Sequence, residues 1–217
     1  MLQRPLRRIT LAAAVAVIAA ASLAGCSRAD AVADPTPAKT VSSVPSPSPT
    51  EDSTFTFTDG ASLPEGTDIG WGEKLSRDTG WKKDDSRSQP GRFAYDNAAD
   101  TCTATFQLFQ LSSTAGMSGL DDRQASDLLV WQTLGMTATG ASDRGFDGRF
   151  FLNELGGSFV EGRQFSVTIN DMGLFSAARA FVAADRGLTL LVSCEGTDIG
   201  EVAHEVLSKA AILIDLP

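Results

Sequence analysis

Three consecutive runs of the chain alternate apolar and polar positions. In residues 160–169, Phe165, Val167 and Ile169 alternate with Gln164, Ser166 and Thr168; residues 174–183 and 188–194 follow, the last with Leu188, Leu190, Val192 and Cys194 on one parity. A period of two sends alternate side chains to opposite faces, so each run predicts a strand. Asn170-Asp-Met-Gly173 and Asp185-Arg-Gly187 place turn residues between them, and the three strands are expected to form an antiparallel meander. Upstream, residues 54–58, 92–97 and 101–111 read as three more strands. In the last of these Cys102, Ala104, Phe106 and Leu108 share the apolar face.

Two segments switch to a helical period. Ser118-Gly-Leu-Asp121 has the spacing of a capping box, and Ala125, Leu128, Trp131 and Leu134 then form an apolar stripe that Gly135 ends. Near the C-terminus Asp198 is a helix cap with Glu201 three residues on, and Ile199, Val202, Ala203, Val206, Ala210 and Leu213 share one helical face. The stretch around Trp71 and Trp81 reads as turn-rich, and residues 140–158 read as loop. The expected fold is α+β, an antiparallel sheet of about five to six strands packed with two amphipathic helices.

Ahead of residue 53 the pattern changes twice. Arg4, Arg7 and Arg8 precede an almost unbroken apolar run over residues 9–24. As a helix that run spans about 24 Å, short of the roughly 30 Å hydrocarbon core, so it reads as an export leader rather than a membrane span. Residues 27–52 are dense in Ala, Ser, Thr and Pro, including Pro35, Pro37, Pro45, Pro47 and Pro49. Such a composition buries too little surface to offset the entropy of ordering, and predicts a tether of about 25 to 30 Å as a coil. Residues 53–217 are left as one globular domain.

Between leader and tether, Leu23-Ala24-Gly25-Cys26 resembles the lipobox of bacterial lipoproteins. The resemblance implies that residues 1–25 are a removed signal peptide. It also implies that Cys26 carries diacylglycerol with palmitate-like chains, and that the lipid bilayer is the first partner. Two long acyl chains, at about 0.8 kcal/mol per buried CH2, would anchor the chain almost permanently to the extracytoplasmic face of the cell membrane. An ordinary secretory leader also ends in small residues. Arg7-Arg8 leaves the general and twin-arginine export routes both open. The alanine-rich style resembles the cell-envelope lipoproteins of actinobacteria.

The chain has 18 basic and 27 acidic residues. Losing Arg4, Arg7 and Arg8 with the leader leaves 15 minus 27, a net charge of −12, which argues against nucleic acid and against attraction to anionic lipid. With Cys26 lipidated, Cys102 and Cys194 remain as an even pair in an oxidising compartment. Both sit on the apolar parity of their strands, and a disulfide between two neighbouring strands is the expected outcome.

Motifs for catalysis are missing where spacing can be tested. His204 is the only histidine, in Glu201-Val-Ala-His204-Glu205 away from the apolar stripe, and reads as solvated. No Gly-x-Ser-x-Gly, Ser-x-x-Lys or Gly-x-Gly-x-x-Gly occurs, and the carboxylates lack calcium-loop spacing. Asp121 and Asp122 read as acids that offset a helix dipole. A glycosidase pair of carboxylates has no sequence spacing to test.

Two sets of residues are candidates for binding. Arg144, Phe146, Arg149 and Phe150, with Phe151, combine arginine and aromatic side chains among glycines; alternatively the Phe pair begins a strand and enters the core. Trp71 and Trp81 suit sugar stacking, or equally act as loop anchors. Arg179 shares parity with Phe175, Ala177 and Phe181, which would bury it unless the opposite parity faces the core. The element order over residues 160–216 is similar to the PsbP-like sandwich of some actinobacterial lipoproteins, a family implying binding or assembly rather than catalysis. The expected function is a non-catalytic, membrane-anchored interaction or assembly module. The alternative is a carrier or sensor holding a lipid or small apolar ligand between sheet and helices. No cofactor or metal is expected.

Overall fold

Ten strands and three helices follow one another along the described chain: β1 (Ser53–Phe55), α1 (Phe57–Ala61), β2 (Asp68–Trp71), β3 (Trp81–Gln89), β4 (Arg92–Asn97), β5 (Cys102–Gln110), α2 (Asp122–Thr133), β6 (Phe146–Leu152), β7 (Ser158–Ile169), β8 (Met172–Phe181), β9 (Arg186–Glu195), α3 (Ile199–Lys209) and β10 (Ala211–Asp215). The structure is a computed structural model that describes residues 53–99, 101–136, 145–153 and 157–217. The leader, Cys26, the tether and Arg144 lie outside the described residues.

All ten strands belong to one sheet, in the order β2-β10-β6-β7-β8-β9-β5-β4-β3, with β1 pairing in parallel beside β7. The β10–β6 pair is also parallel, so the sheet is mixed. This corrects the α+β expectation: the protein is mostly β, a strongly curled half-barrel with three short helices. A PsbP-like sandwich is set aside with it. The expected meander is present as β7-β8-β9, and Asn170 and Asp171, at φ 49° and 64°, form the two-residue turn between Ile169 and Met172.

The strands absent from the sequence reading carry no clear alternation of their own. β3, Trp-Lys-Lys-Asp-Asp-Ser-Arg-Ser-Gln, is polar on both faces because it is a sheet edge, where charges deter pairing with other chains. β6 runs through the glycine-rich segment read as loop, and its Gly148 lets the Gln164 side chain lie against its backbone. Ala210 and Leu213 keep a helical spacing with α3, which makes the sequence of β10 read as part of the last helix. The backbone instead leaves the helix at Ala210, φ −85° and ψ 114°, and a short apolar run becomes a strand between β2 and β6. Residues 56–61 turn into a capped helical turn instead of extending the first strand.

Curling lets the inner face close on itself. From the far edge, the Trp71 indole N–H donates to the Gln107 carbonyl on β5 at 3.0 Å, and its ring sits 5.2 Å from Phe106 and 5.4 Å from Phe150. Tyr95, Phe181, Leu188, Leu190 and the α3 face of Ile199, Ala203 and Val206 complete this core. The outer face is covered by α2, whose Ala125, Leu129, Val130 and Trp131 pack on Phe165, Ala178 and Ala180. Its cap is Asp121 with Gln124, three residues beyond the Ser118 start read from sequence.

Cys102 and Cys194 are directly opposed on β5 and β9 and form a disulfide, with Cα atoms 4.1 Å apart. The neighbouring Glu195 N–H donates to the Thr101 carbonyl, so the bridge occupies the close, non-hydrogen-bonded kind of pair. It closes a span of 92 residues across two central strands.

Candidate binding groove

The predicted binding residues separate when the strand forms. Successive residues of a strand face opposite sides, so the Phe150-Phe151 doublet must split. Phe150 enters the inner core and is buried, while Phe151 faces outward and is half-buried. Trp71 and Trp81 are likewise core residues, the Trp81 indole N–H donating to Glu205 Oε1 on α3 at 2.9 Å. Their rings anchor the two ends of the sheet to its interior and offer no stacking platform. Phe146, 48% exposed, and Arg149 remain at the surface.

At Arg149 a groove of about 410 Å³ opens between α3 and strands β6 and β7. β10 pairs with β6 only at Phe151 and Leu152, so the first half of β6 has the end of α3 beside it. Gly148, Arg149, Phe151, Phe159 and Gln164 form one wall, and His204, Leu207 and Ser208 the other. The register sets Phe151 opposite Phe159, with ring centroids 5.1 Å apart. The Arg149 guanidinium lies 4.2 Å over the Phe159 ring, and the Lys74 ammonium 5.4 Å from Phe151.

Arg149 makes no ion pair among the described residues. A cation stacked on exposed aromatic faces keeps its charge available while its planar group is held in place. The nearby arginine of β7 is different: Arg163 is buried and spends its donors on Asp127 of α2 at 2.5 Å, on Asp147 and on the Gly145 carbonyl at 2.9 Å. It ties β6, β7 and α2 together; burial raises the Asp147 carboxyl, but Arg123 and Arg163 together outweigh it and hold that carboxyl below its ordinary value.

Phe159, Leu207 and His204 are groove residues that the sequence reading left out or dismissed. The doublet at 150–151 carried the signal, since a strand there requires one ring inside and one outside. His204 was correctly placed off the apolar stripe of α3, and that position turns it toward the groove.

A second concentration of charge lies between β8 and the start of α2. Arg179 and Asp122 are 0% and 3% exposed, with Nη2 and Oδ2 3.3 Å apart. Asp122 therefore does more than offset a helix dipole: its Oδ1 accepts the Val182 N–H at 2.8 Å. Burial pushes its carboxyl up, against the Val182 amide and Arg179, and burial lowers Arg179 to about 10. The Arg179 guanidinium is sandwiched between Phe57 and Phe181, 4.2 and 4.5 Å from their centroids, and donates to the Thr56 carbonyl at 3.0 Å. The parity left open in the sequence is thereby decided, with Arg179 inside. Glu161 accepts the Phe57 N–H at 2.8 Å, so this cluster holds α1 in place.

Among the described residues no group of three or more His, Cys, Asp or Glu side chains could hold a metal ion, and no helix is long and apolar enough to cross a membrane. The fold thus defines a curled, mostly-β domain with an aromatic, cationic groove. No family model matches this chain, and no curated protein matches it.

Proposed function

We propose that the protein is a non-catalytic interaction module, lipid-anchored through Cys26 on the extracytoplasmic face of the membrane, that uses the α3–β6 groove to hold a partner protein. The observation that carries this reading is the Arg149 guanidinium, without an ion pair among the described residues, stacked on Phe159 beside Phe151 and His204. Arginine and aromatic side chains dominate the energetics of protein interfaces, and a groove with a free cation suits an acidic or aromatic side chain of an envelope protein. The Cys102–Cys194 disulfide supports the address, because such bridges persist in oxidising compartments, and pairing these two leaves the lipobox cysteine unmatched.

The test has two arms on the protein in its native membrane. Intact mass measurement should show a chain beginning at Cys26 with a diacylglyceryl adduct and the disulfide formed. A photo-crosslinking residue in place of His204 should capture an envelope protein that the same group in place of Lys83, on the far strand β3, does not. A mature chain without acyl mass removes the anchor. Equal capture from both positions removes the groove. The carrier alternative predicts a co-purifying small molecule in the same mass spectrum; the inner face between sheet and α3 is occupied by Trp71, Phe106, Phe150 and Leu190.

A further inference from the structure

A different cleft lies on the outer face of the sheet, between β4, β5 and the end of α2. It measures about 300 Å³ and includes Arg92, Thr105, Gln107, Gln132 and Leu191 in its walls. The strand register builds it: Arg92 pairs with Gln107 and Thr105 with Leu191, which places the guanidinium, amide and hydroxyl over a floor that Leu191 and Leu129 make apolar.

Arg92 has no hydrogen-bond or ion-pair partner among the described residues, and its Nε is buried without one. That is unusual in a chain with 27 acidic residues, because a buried guanidinium N–H left unmade costs about 1–3 kcal/mol. The neighbouring acids are already committed, since Asp84 and Asp96 both bind Arg87. Opposite Arg92 the pairing of β3 with β4 breaks register between Asp84 and Gln89, and this irregularity opens a second hollow of about 210 Å³ that Arg92 also lines. Bulges that aim a side chain into open space are recurrent beside binding sites.

The end of α2 borders the cleft through Gln132 and Thr133. The carbonyls of Val130, Trp131 and Gln132 are occupied by the N–H groups of Leu134, Met136 and Gly135. We infer that the Arg92 cleft binds a small organic oxyanion, a carboxylate or phosphate ester whose charged head pairs with Arg92 while a short apolar body lies on Leu129 and Leu191. Thr105 and Gln107 supply further donors to the head. A guanidinium paired with such an anion forms charge-assisted hydrogen bonds, about twice as strong as neutral ones.

The experiment is a titration of the isotope-labelled full-length chain, reading the Arg92 Nε–H and the Thr105 and Gln107 amides by NMR. The probes are hexanoate, inorganic phosphate, hexanol and sodium chloride at matched ionic strength. Hexanoate is expected to give saturable shifts at all three groups. Phosphate, with head but no body, should bind more weakly, and hexanol and chloride should leave the Arg92 signal in place. Arg92→Gln should weaken hexanoate at least about tenfold, the loss of one strong charged contact. Absence of saturation with either oxyanion in the unaltered protein overturns the inference, without reference to whether the variant folds. So does hexanoate binding that Arg92→Gln leaves unchanged, or a response to chloride equal to that of phosphate. The groove at Arg149 is read separately in the same spectra, so failure at one site leaves the other standing.

Discussion

Arg179 Nη2 lies 3.3 Å from Asp122 Oδ2 with both side chains out of contact with solvent, joining the middle of the sheet to the first turn of α2. Gly60 lies directly against the pair; a Cβ there would overlap Arg179 Nη2 and Asp122 Oδ2. Thr56 and Asp59 cap the helix that carries this glycine, so the entry of the chain into the domain is built around one buried charge pair.

Removing one partner leaves the other charged and stranded. Asp122→Ala is expected to lower unfolding stability by about 3–5 kcal/mol, whereas Asp122→Ala combined with Arg179→Met should recover part of that loss, since an apolar replacement of both strands no charge. Urea unfolding of the two variants checks this. An Asp122→Ala loss below about 1 kcal/mol would show that the pair does not hold the entry segment.

Gly60→Ala tests the same place by volume instead of charge. The added methyl has to displace a guanidinium held between two rings, and overpacking of this kind costs about 1–3 kcal/mol. The same substitution at Gly70, where a Cβ meets nothing within 4 Å, avoids that clash. Equal midpoints for the two variants would contradict the packing described.

Cys102→Ala with Cys194→Ala opens a link across two central strands. With a closed span of 92 residues, the loss should be about 2–4 kcal/mol, and reduction of the unaltered protein should lower its melting temperature in parallel. A reduced protein that melts unchanged would mean the two central strands are held by their ladder alone.

All three tryptophans, Trp71, Trp81 and Trp131, are buried. The folded protein should therefore emit to the blue of the unfolded chain and resist quenching by acrylamide. Substantial quenching before unfolding would place a ring at the surface, where Trp71 or Trp81 could stack on a ligand.

Acid should destabilise the protein through Asp78 and Glu205, which share the Lys209 ammonium at 2.7 Å each. The hydrogen bond from Lys209 holds both carboxyls below their ordinary values, that on Glu205 being helped by Trp81. A depressed folded value contributes stability above the unfolded value and loses it as pH falls through the lowered one. Asp122 acts in the opposite sense, because burial raises its carboxyl and its contribution declines as pH rises through the ordinary carboxylate range. Melting temperature should fall on acidification below the ordinary carboxylate range, and Glu205→Gln should make that fall shallower. A Glu205→Gln profile that runs parallel to that of the unaltered protein would remove this network from the explanation.

The binding groove was half legible. Arg149 stood out by composition, but Phe159 is brought to it by the pairing of β7 with β6, and His204 by the placement of a helix more than 50 residues further along the chain. The Arg92 cleft had no signal, because an arginine on a strand looks the same whether a carboxylate waits across the sheet or has already been taken by Arg87.

By itself the sequence determined what local periodicity can determine. That includes the meander from β7 to β9, the existence of α2 and the Ile199, Ala203 and Val206 face of α3, a turn within Asn170–Gly173, and the shared parity that lets Cys102 and Cys194 meet. Only the tertiary structure decided that the sheet gathers ten strands and curls, that Ala211–Asp215 pairs as a strand, and that Arg179 lies inside. A residue's period of two or of 3.6 is set by its neighbours along the chain. Which face is buried, and whether a short apolar run pairs or coils, is set by partners whose positions exist only once the sheet has closed.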